Sequence, residues 1–341
     1  MRTDPSPPKT AVLLLAHGSP DSVDDVPEFL LQVTRGRQLP PQVIEEVKRR
    51  YALIGRSPLT ERTLQQGDLL SQKLGLPVYV GMRNWKPFIS DTVRTMAADR
   101  IERAVVICLA PQNSRTSVGL YRSALEKDVT FDTDFVDSWH DHPSLIQAFA
   151  EKLLAGRERA SREMGTVVRV IFTAHSVPQQ TITEGDPYET QARETAALVA
   201  REAGLPPADW TFAFQSQGMS GAGWLGPTVE DTIVTLKNKG HLGVFIQPIG
   251  FLCDHVEVLY DIDIAFKQFA EKEQIRLWRA ESLNDSPLLT AALADVARSR
   301  MRKTLRLICS QKQLDRSEQL LQLWLSWFGF LCPYWRGIAP C

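Results

Sequence analysis

Gln247-Pro-Ile-Gly-Phe-Leu-Cys-Asp-His-Val-Glu-Val-Leu-Tyr-Asp-Ile-Asp263 follows the apolar run 244–246. The reading is a strand, a Pro-Ile-Gly turn and then a helix that opens with Asp254, His255 and Glu257. In open α/β sheets ligands bind in the crevice beyond the carboxyl ends of the strands, so this hand-over is where a site is expected. On a regular helix Asp254, Glu257 and Asp261 fall at i, i+3 and i+7 and share a face, whereas His255 points elsewhere unless the helix is distorted. Asp254 with Glu257 three residues later also reads as a capping box, in which each side chain satisfies the other's backbone N–H.

Working outward, residues 11–16 form a short apolar run ending at His17-Gly-Ser-Pro, and 167–174 form another ending at His175-Ser-Val-Pro. Both halves therefore read strand, then Ala-His-x-x-Pro. Such an echo implies two similar α/β domains that each present a histidine to the cleft between them. Helical spacing over 41–54, 59–74, 88–99, 145–163 and 188–203 alternates with strand-like runs at 76–80, 104–110 and 210–214. That alternation implies right-handed crossovers and parallel sheets. The expected fold class is α/β, with two similar Rossmann-like domains at 9–160 and 165–310, a central cleft, and an apolar extension at 311–341. The long helix 145–163 bridges the halves. The polar loop 111–121 suits binding, and the glycine-rich piece 218–226 is not a dinucleotide-type phosphate turn.

Lys and Arg number 39 against 40 Asp and Glu, so no net field draws the chain to nucleic acid, and a small-molecule partner is expected. The first ten residues carry an acid and three prolines and no apolar core, which is unlike a signal peptide; the expected location is cytoplasmic. Cys108, Cys253, Cys309, Cys332 and Cys341 form no CxxC pair and are odd in number, as reduced thiols are. The stretch 320–335 is rich in Leu and Trp but shorter than the ~20 residues of a membrane span. A peripheral membrane contact, a dimer contact and ordinary packing are all open for it.

Ala174-His-Ser-Val-Pro178, Gly185-Asp-Pro-Tyr188, Gln215-Ser216, Trp224-Leu-Gly-Pro227 and Asp254-His-Val-Glu-Val-Leu-Tyr260, in that order, resemble the ferrochelatases over residues from about 11 to about 301. The resemblance implies two Rossmann-like domains that hold a porphyrin between them and insert Fe²⁺ in haem biosynthesis, with no organic cofactor. It gives His175 and Glu257 catalytic and metal-binding roles on one side of the macrocycle, supported by Asp254, His255, Asp261 and Trp224. Imidazole and carboxylate both ligate ferrous iron, and either can accept a pyrrole proton.

Thr34-Arg-Gly-Arg37, Arg50-Tyr51, Ser57-Pro-Leu59, Leu109-Ala-Pro111 and Ser117-Val-Gly-Leu-Tyr121 resemble the members that use coproporphyrin III, whose ring carries four propionates. Arg50, Tyr51, Ser57, Tyr121 and His17 would then contact the porphyrin, with arginine suited to a propionate. From the residues alone, Lys48-Arg49-Arg50 equally reads as a solvated helix face. Three positions depart from that type: His17 stands for a tyrosine, Thr34 for an arginine and Ala265 for an acid. Arg279-Ala-Glu-Ser-Leu-Asn284 instead resembles the members that use protoporphyrin IX. Trp335 and Arg115 occupy cysteine positions of the cluster-bearing members, which implies no iron–sulfur cluster. Two other readings are a two-lobed porphyrin or haem carrier that does no chemistry, and the small cobalt or sirohydrochlorin chelatases, whose resemblance stops near the first turn.

Overall fold

β1 (Thr10–Ala16) is buried along nearly its whole length, which is why it reads as an unbroken apolar run. It lies between β2 (Val78–Met82) and β3 (Arg103–Cys108), and β4 (Asp132–Val136) completes a four-stranded parallel sheet in the order β2-β1-β3-β4. The second half repeats the plan: β5 (Arg169–His175), β6 (Trp210–Gln215), β7 (Gly243–Pro248) and β8 (Arg276–Arg279) form a parallel sheet in the order β6-β5-β7-β8. The echo in the sequence is thus an echo of topology. His17 follows the last residue of β1 and His175 closes β5, the corresponding strands. In each sheet the strand order reverses there, which opens the crevice where ligands are held.

The computed structural model describes residues 8–217 and 223–302. Both sheets lie in one compact unit ending at Val296. Cys309, Cys332 and Cys341, the apolar stretch 320–335 and the middle of the glycine-rich piece fall outside the described residues. No helix among the described residues is long and apolar enough to cross a membrane.

Helices α2 (Pro41–Ile54) and α3 (Leu59–Leu74) fall where their spacing predicts. Each ends at a glycine with positive φ, Gly55 and Gly75. Helix α4 (Ile89–Ala98) after β2 likewise falls on the predicted 88–99, whereas two elements are not announced by the pattern: α1 (Val26–Val33) before α2, and the short α5 (Val118–Leu125), which takes up the last residues of the stretch expected as a polar loop. The edge strands β4 and β8, Asp-Thr-Asp-Phe-Val and Arg-Leu-Trp-Arg, also escape notice, because an edge strand need not be apolar on both faces.

Helix α6 (Pro143–Met164) carries the chain from the first sheet to the second. A Cβ at its Gly156 would stand 2.5 Å from Cζ of Phe245, a ring with no exposed surface. Gly156→Val should therefore overpack this contact and cost about 1–3 kcal/mol, read as a lower denaturation midpoint. An unchanged midpoint would contradict the close approach.

Candidate active site

The helix after β7 starts later than the sequence predicts. His255 is the N-cap, with extended backbone at φ −163°, and only Val256–Leu259 is α-helical. Asp254 lies outside this turn and caps nothing, so the capping-box reading is corrected. Asp254 instead accepts hydrogen bonds from Ser282 Oγ at 2.7 Å and Asn284 Nδ2 at 2.9 Å, and it pairs with Arg279 at 3.3 Å. Burial opposes its charge, but these partners hold the carboxyl below its usual range. Asp254 thus ties the loop after β7 to the segment after β8.

A π turn, Asp261–Phe266, follows directly, with Ala265 N–H donating to Tyr260 O at 2.9 Å. The wider turn breaks the i, i+3, i+7 row. Asp261 faces Ser216, whose hydroxyl donates to it, whereas Asp263 turns to a bidentate pair with Arg279 at 2.7 and 2.8 Å. Single π turns of this kind are frequent at functional sites.

His175 Nε2 stands 3.4 Å from Glu257 Oε1, and His255 Nε2 stands 3.5 Å from Glu257 Oε2, so one carboxylate lies between two imidazoles. The expectation that His255 points away is therefore corrected. The orientation of each ring follows from backbone carbonyls, which can only accept. His175 Nδ1 faces Ser176 O, His255 Nδ1 faces Cys253 O at 3.0 Å, and His17 Nδ1 faces Gly18 O at 3.0 Å. Nδ1 carries the hydrogen in all three, which leaves Nε2 as the lone-pair or titrating atom.

Burial disfavours a charged His175, but the Glu257 carboxylate outweighs it and raises the imidazolium to about 9. Glu257 is the mirror case: burial would raise it, yet His175 and His255 hold it well below the usual carboxylate range. At neutral pH the pair is imidazolium and carboxylate. His17 lacks such a partner, and burial together with the neighbouring Arg83 lowers it to about 4, so it is neutral. Burial pushes Asp261 up to about 6, with the Glu257 charge adding to the rise against the Ser216 hydrogen bond.

Around this centre, Gln215 pairs in register with His175 and donates to Glu257 O at 2.9 Å while accepting from Thr173 Oγ1 at 2.7 Å. Tyr188 Oη donates to His175 O at 2.9 Å. The sequence marks both residues only as parts of motifs and assigns them no role; the structure gives them positioning roles. Trp224 sits beside the His175 loop through a β-bridge to Pro178, next to the Leu225 N–H that donates to Val177 O at 3.0 Å.

From the first half, Tyr51 and Tyr121 are buried and both feel the charge of Glu257, as His17 does. Tyr51 Oη lies 3.3 Å from Ser19 Oγ. Ser57 is buried at the start of α3, where its Oγ accepts from Leu59 N at 3.5 Å. Arg50 Nε donates to Glu46 at 2.9 Å, its Nη1 is 3.9 Å from Asp261, and its guanidinium lies 5.0 Å from the Tyr260 ring centre. Arg49 donates to Tyr260 Oη at 2.5 Å. Lys48-Arg49-Arg50 is thus more than a solvated face, because two of its members cross to the second half. Thr34 turns its hydroxyl onto Leu30 O and Arg37 O at 2.8 and 2.6 Å.

The sequence pattern of the ferrochelatase family matches residues 9–301. A ferrochelatase of Acidobacterium capsulatum is 54% identical over 308 residues, 85% of this chain and 94% of that one. A coproporphyrin III ferrochelatase of Geobacillus kaustophilus is 37% identical over 309 residues, 86% of this chain and 96% of that one. Among solved structures, SirB from Bacillus subtilis with Fe³⁺ superposes with a TM-score of 0.51 at 11% identity, covering 86% of this chain and 95% of that one. At that identity the likeness concerns the fold alone, here the two-lobed chelatase plan. The chain belongs to the ferrochelatase family, the metal chelatases that insert iron into porphyrin in haem biosynthesis.

Proposed function

We propose that the enzyme inserts Fe²⁺ into coproporphyrin III, with His175 and Glu257 on one face of the ring and His17 opposite them. The observation that carries a carboxylate-bearing ring as the substrate is Arg50. Its fork lies at the cleft between Glu46 and Asp261, stacked on Tyr260, where a ring bearing four propionates brings carboxylates that compete for it. Between propionate-bearing rings, the resemblance of the Arg50, Ser57 and Tyr121 motifs to coproporphyrin-using members favours coproporphyrin III.

Insertion replaces two pyrrole protons with one Fe²⁺, so the site needs a base and a ligand. His175, protonated at neutral pH, is not the base in the ligand-free enzyme; Glu257, held ionised, is. The two pyrrole protons, taken in turn by Glu257, pass outward to Asp261, poised near 6 and hydrogen-bonded to Ser216, and from there to solvent. His175 becomes a ligand for iron only after Nε2 gives up its proton, which the approaching dication favours. The proton and the metal thus compete for one atom, and the apparent KM for Fe²⁺ should fall as pH rises toward about 9. A KM flat across that range would contradict the competition.

Protoporphyrin IX is the second reading. The segment 279–284, which resembles protoporphyrin-using members, is fastened through Ser282 and Asn284 to Asp254 behind the catalytic pair. Anaerobic kcat/KM for Fe²⁺ insertion into each porphyrin decides. A coproporphyrin preference supports the proposal, and a protoporphyrin preference makes the second-half signature the better guide.

A further inference from the structure

The reaction above leaves one guanidinium of the first half without a task. Arg83 directly follows β2 at the crevice of the first sheet. Its backbone N–H donates to Ala16 O at 3.0 Å, beside His17. The side chain is half-buried and, among the described residues, its Nε has no acceptor. Its guanidinium stands 5.8 Å from the ring centre of Tyr121, a cleft residue, and burial pulls its pKa down. Besides burial, a second cation, Arg35, opposes its charge and the Tyr121 hydroxyl favours it.

Other arginines of comparable burial are treated differently. Arg103, Arg157, Arg169 and Arg279 each have an aspartate at ion-pair distance. Next to Arg83, Asn84 is only 2% exposed and its Nδ2 also lacks an acceptor among the described residues, while its backbone N–H donates to His17 O at 3.0 Å. The crevice beside His17 is therefore rich in donors and short of acceptors. A buried cation with no counter-ion is costly to fold around, and a ligand that brings the counter-ion recovers that cost on binding.

We infer that Arg83 is a substrate-binding residue that receives a carboxylate of the tetrapyrrole on the His17 side of the cleft. A planar fork matches a carboxylate in two hydrogen bonds, and Tyr121 holds the fork from one side. Thr34, whose hydroxyl is spent on its own backbone, does not compete for that role. The inference rests on the reading of the cleft as a porphyrin site, and it holds for either porphyrin, since both carry propionates.

The test is the dissociation constant of the full-length protein for coproporphyrin III and for its tetramethyl ester, read by porphyrin fluorescence in wild type, Arg83→Met and Arg83→Lys. Arg83→Met should weaken the free acid on the order of 10- to 100-fold, the scale of a lost hydrogen-bonded charge contact. Wild type and Arg83→Met should bind the ester about equally, and Arg83→Lys should fall between them on the acid. Equal losses on acid and ester would make Arg83 a packing residue and overturn the inference, as would unchanged acid binding. If Arg83→Met fails to fold, Arg83→Lys carries the comparison: a loss confined to the acid supports the inference, and a loss on both or neither overturns it. Failure of the porphyrin reading looks different, because wild type would then bind neither form.

Discussion

Glu257→Gln should lower ferrous-iron insertion by ~10² or more, the scale of a lost proton-transfer group, with little change in the denaturation midpoint. Glutamine keeps the shape, and the backbone carbonyl at 257 still accepts from Gln215. What disappears is the charge between two imidazoles. Without it, burial is left to dominate His175, which falls from its raised value and becomes neutral. The variant thus keeps a ligand for iron and loses the base. It should bind porphyrin as wild type does and fail at the metallation step, a drop in kcat with a small change in the KM for porphyrin. Insertion at the wild-type rate would remove Glu257 from the chemistry.

His175→Ala should also cost ~10² or more in insertion, for a complementary reason. Its loss takes away the first Nε2 that iron meets and frees Glu257 from the principal charge that keeps it ionised. Burial then pushes the Glu257 carboxyl upward, so residual activity in this variant should climb with pH as the carboxylate re-forms. His255 remains 3.5 Å from the other carboxylate oxygen and limits that rise. The double variant should be little worse than either single one, because the two groups act as a unit. A fully additive loss, or a pH profile identical to wild type, would contradict the coupling drawn between them.

Much of this architecture is readable in the sequence where a local pattern decides it. The central strands β1, β5 and β7 are buried on both faces and read as apolar runs, and α2 and α3 are framed by prolines and a closing glycine. His17 and His175 are legible because they stand at the ends of those strands. The edge strands lack that double burial. The start of the helix after β7 is misread for another reason: Asp254 and Glu257 have capping-box spacing, but the partners that win Asp254 are Ser282 and Asn284, close only in the fold. The π turn has no period of its own, yet it turns Asp261 toward Ser216. Arg83 sits in Gly-Met-Arg-Asn, which is unremarkable as sequence; only tertiary burial leaves its Nε without an acceptor among the described residues.

The most direct test of the account is a single anaerobic turnover, with purified wild-type protein in excess over porphyrin, Fe²⁺ added last and the visible spectrum followed. The account predicts that the free-base spectrum of coproporphyrin III gives way to that of the iron complex, and that Glu257→Gln binds the same porphyrin but leaves the free-base spectrum in place. Tight binding by wild type with no metallation would contradict it and leave a two-lobed porphyrin carrier.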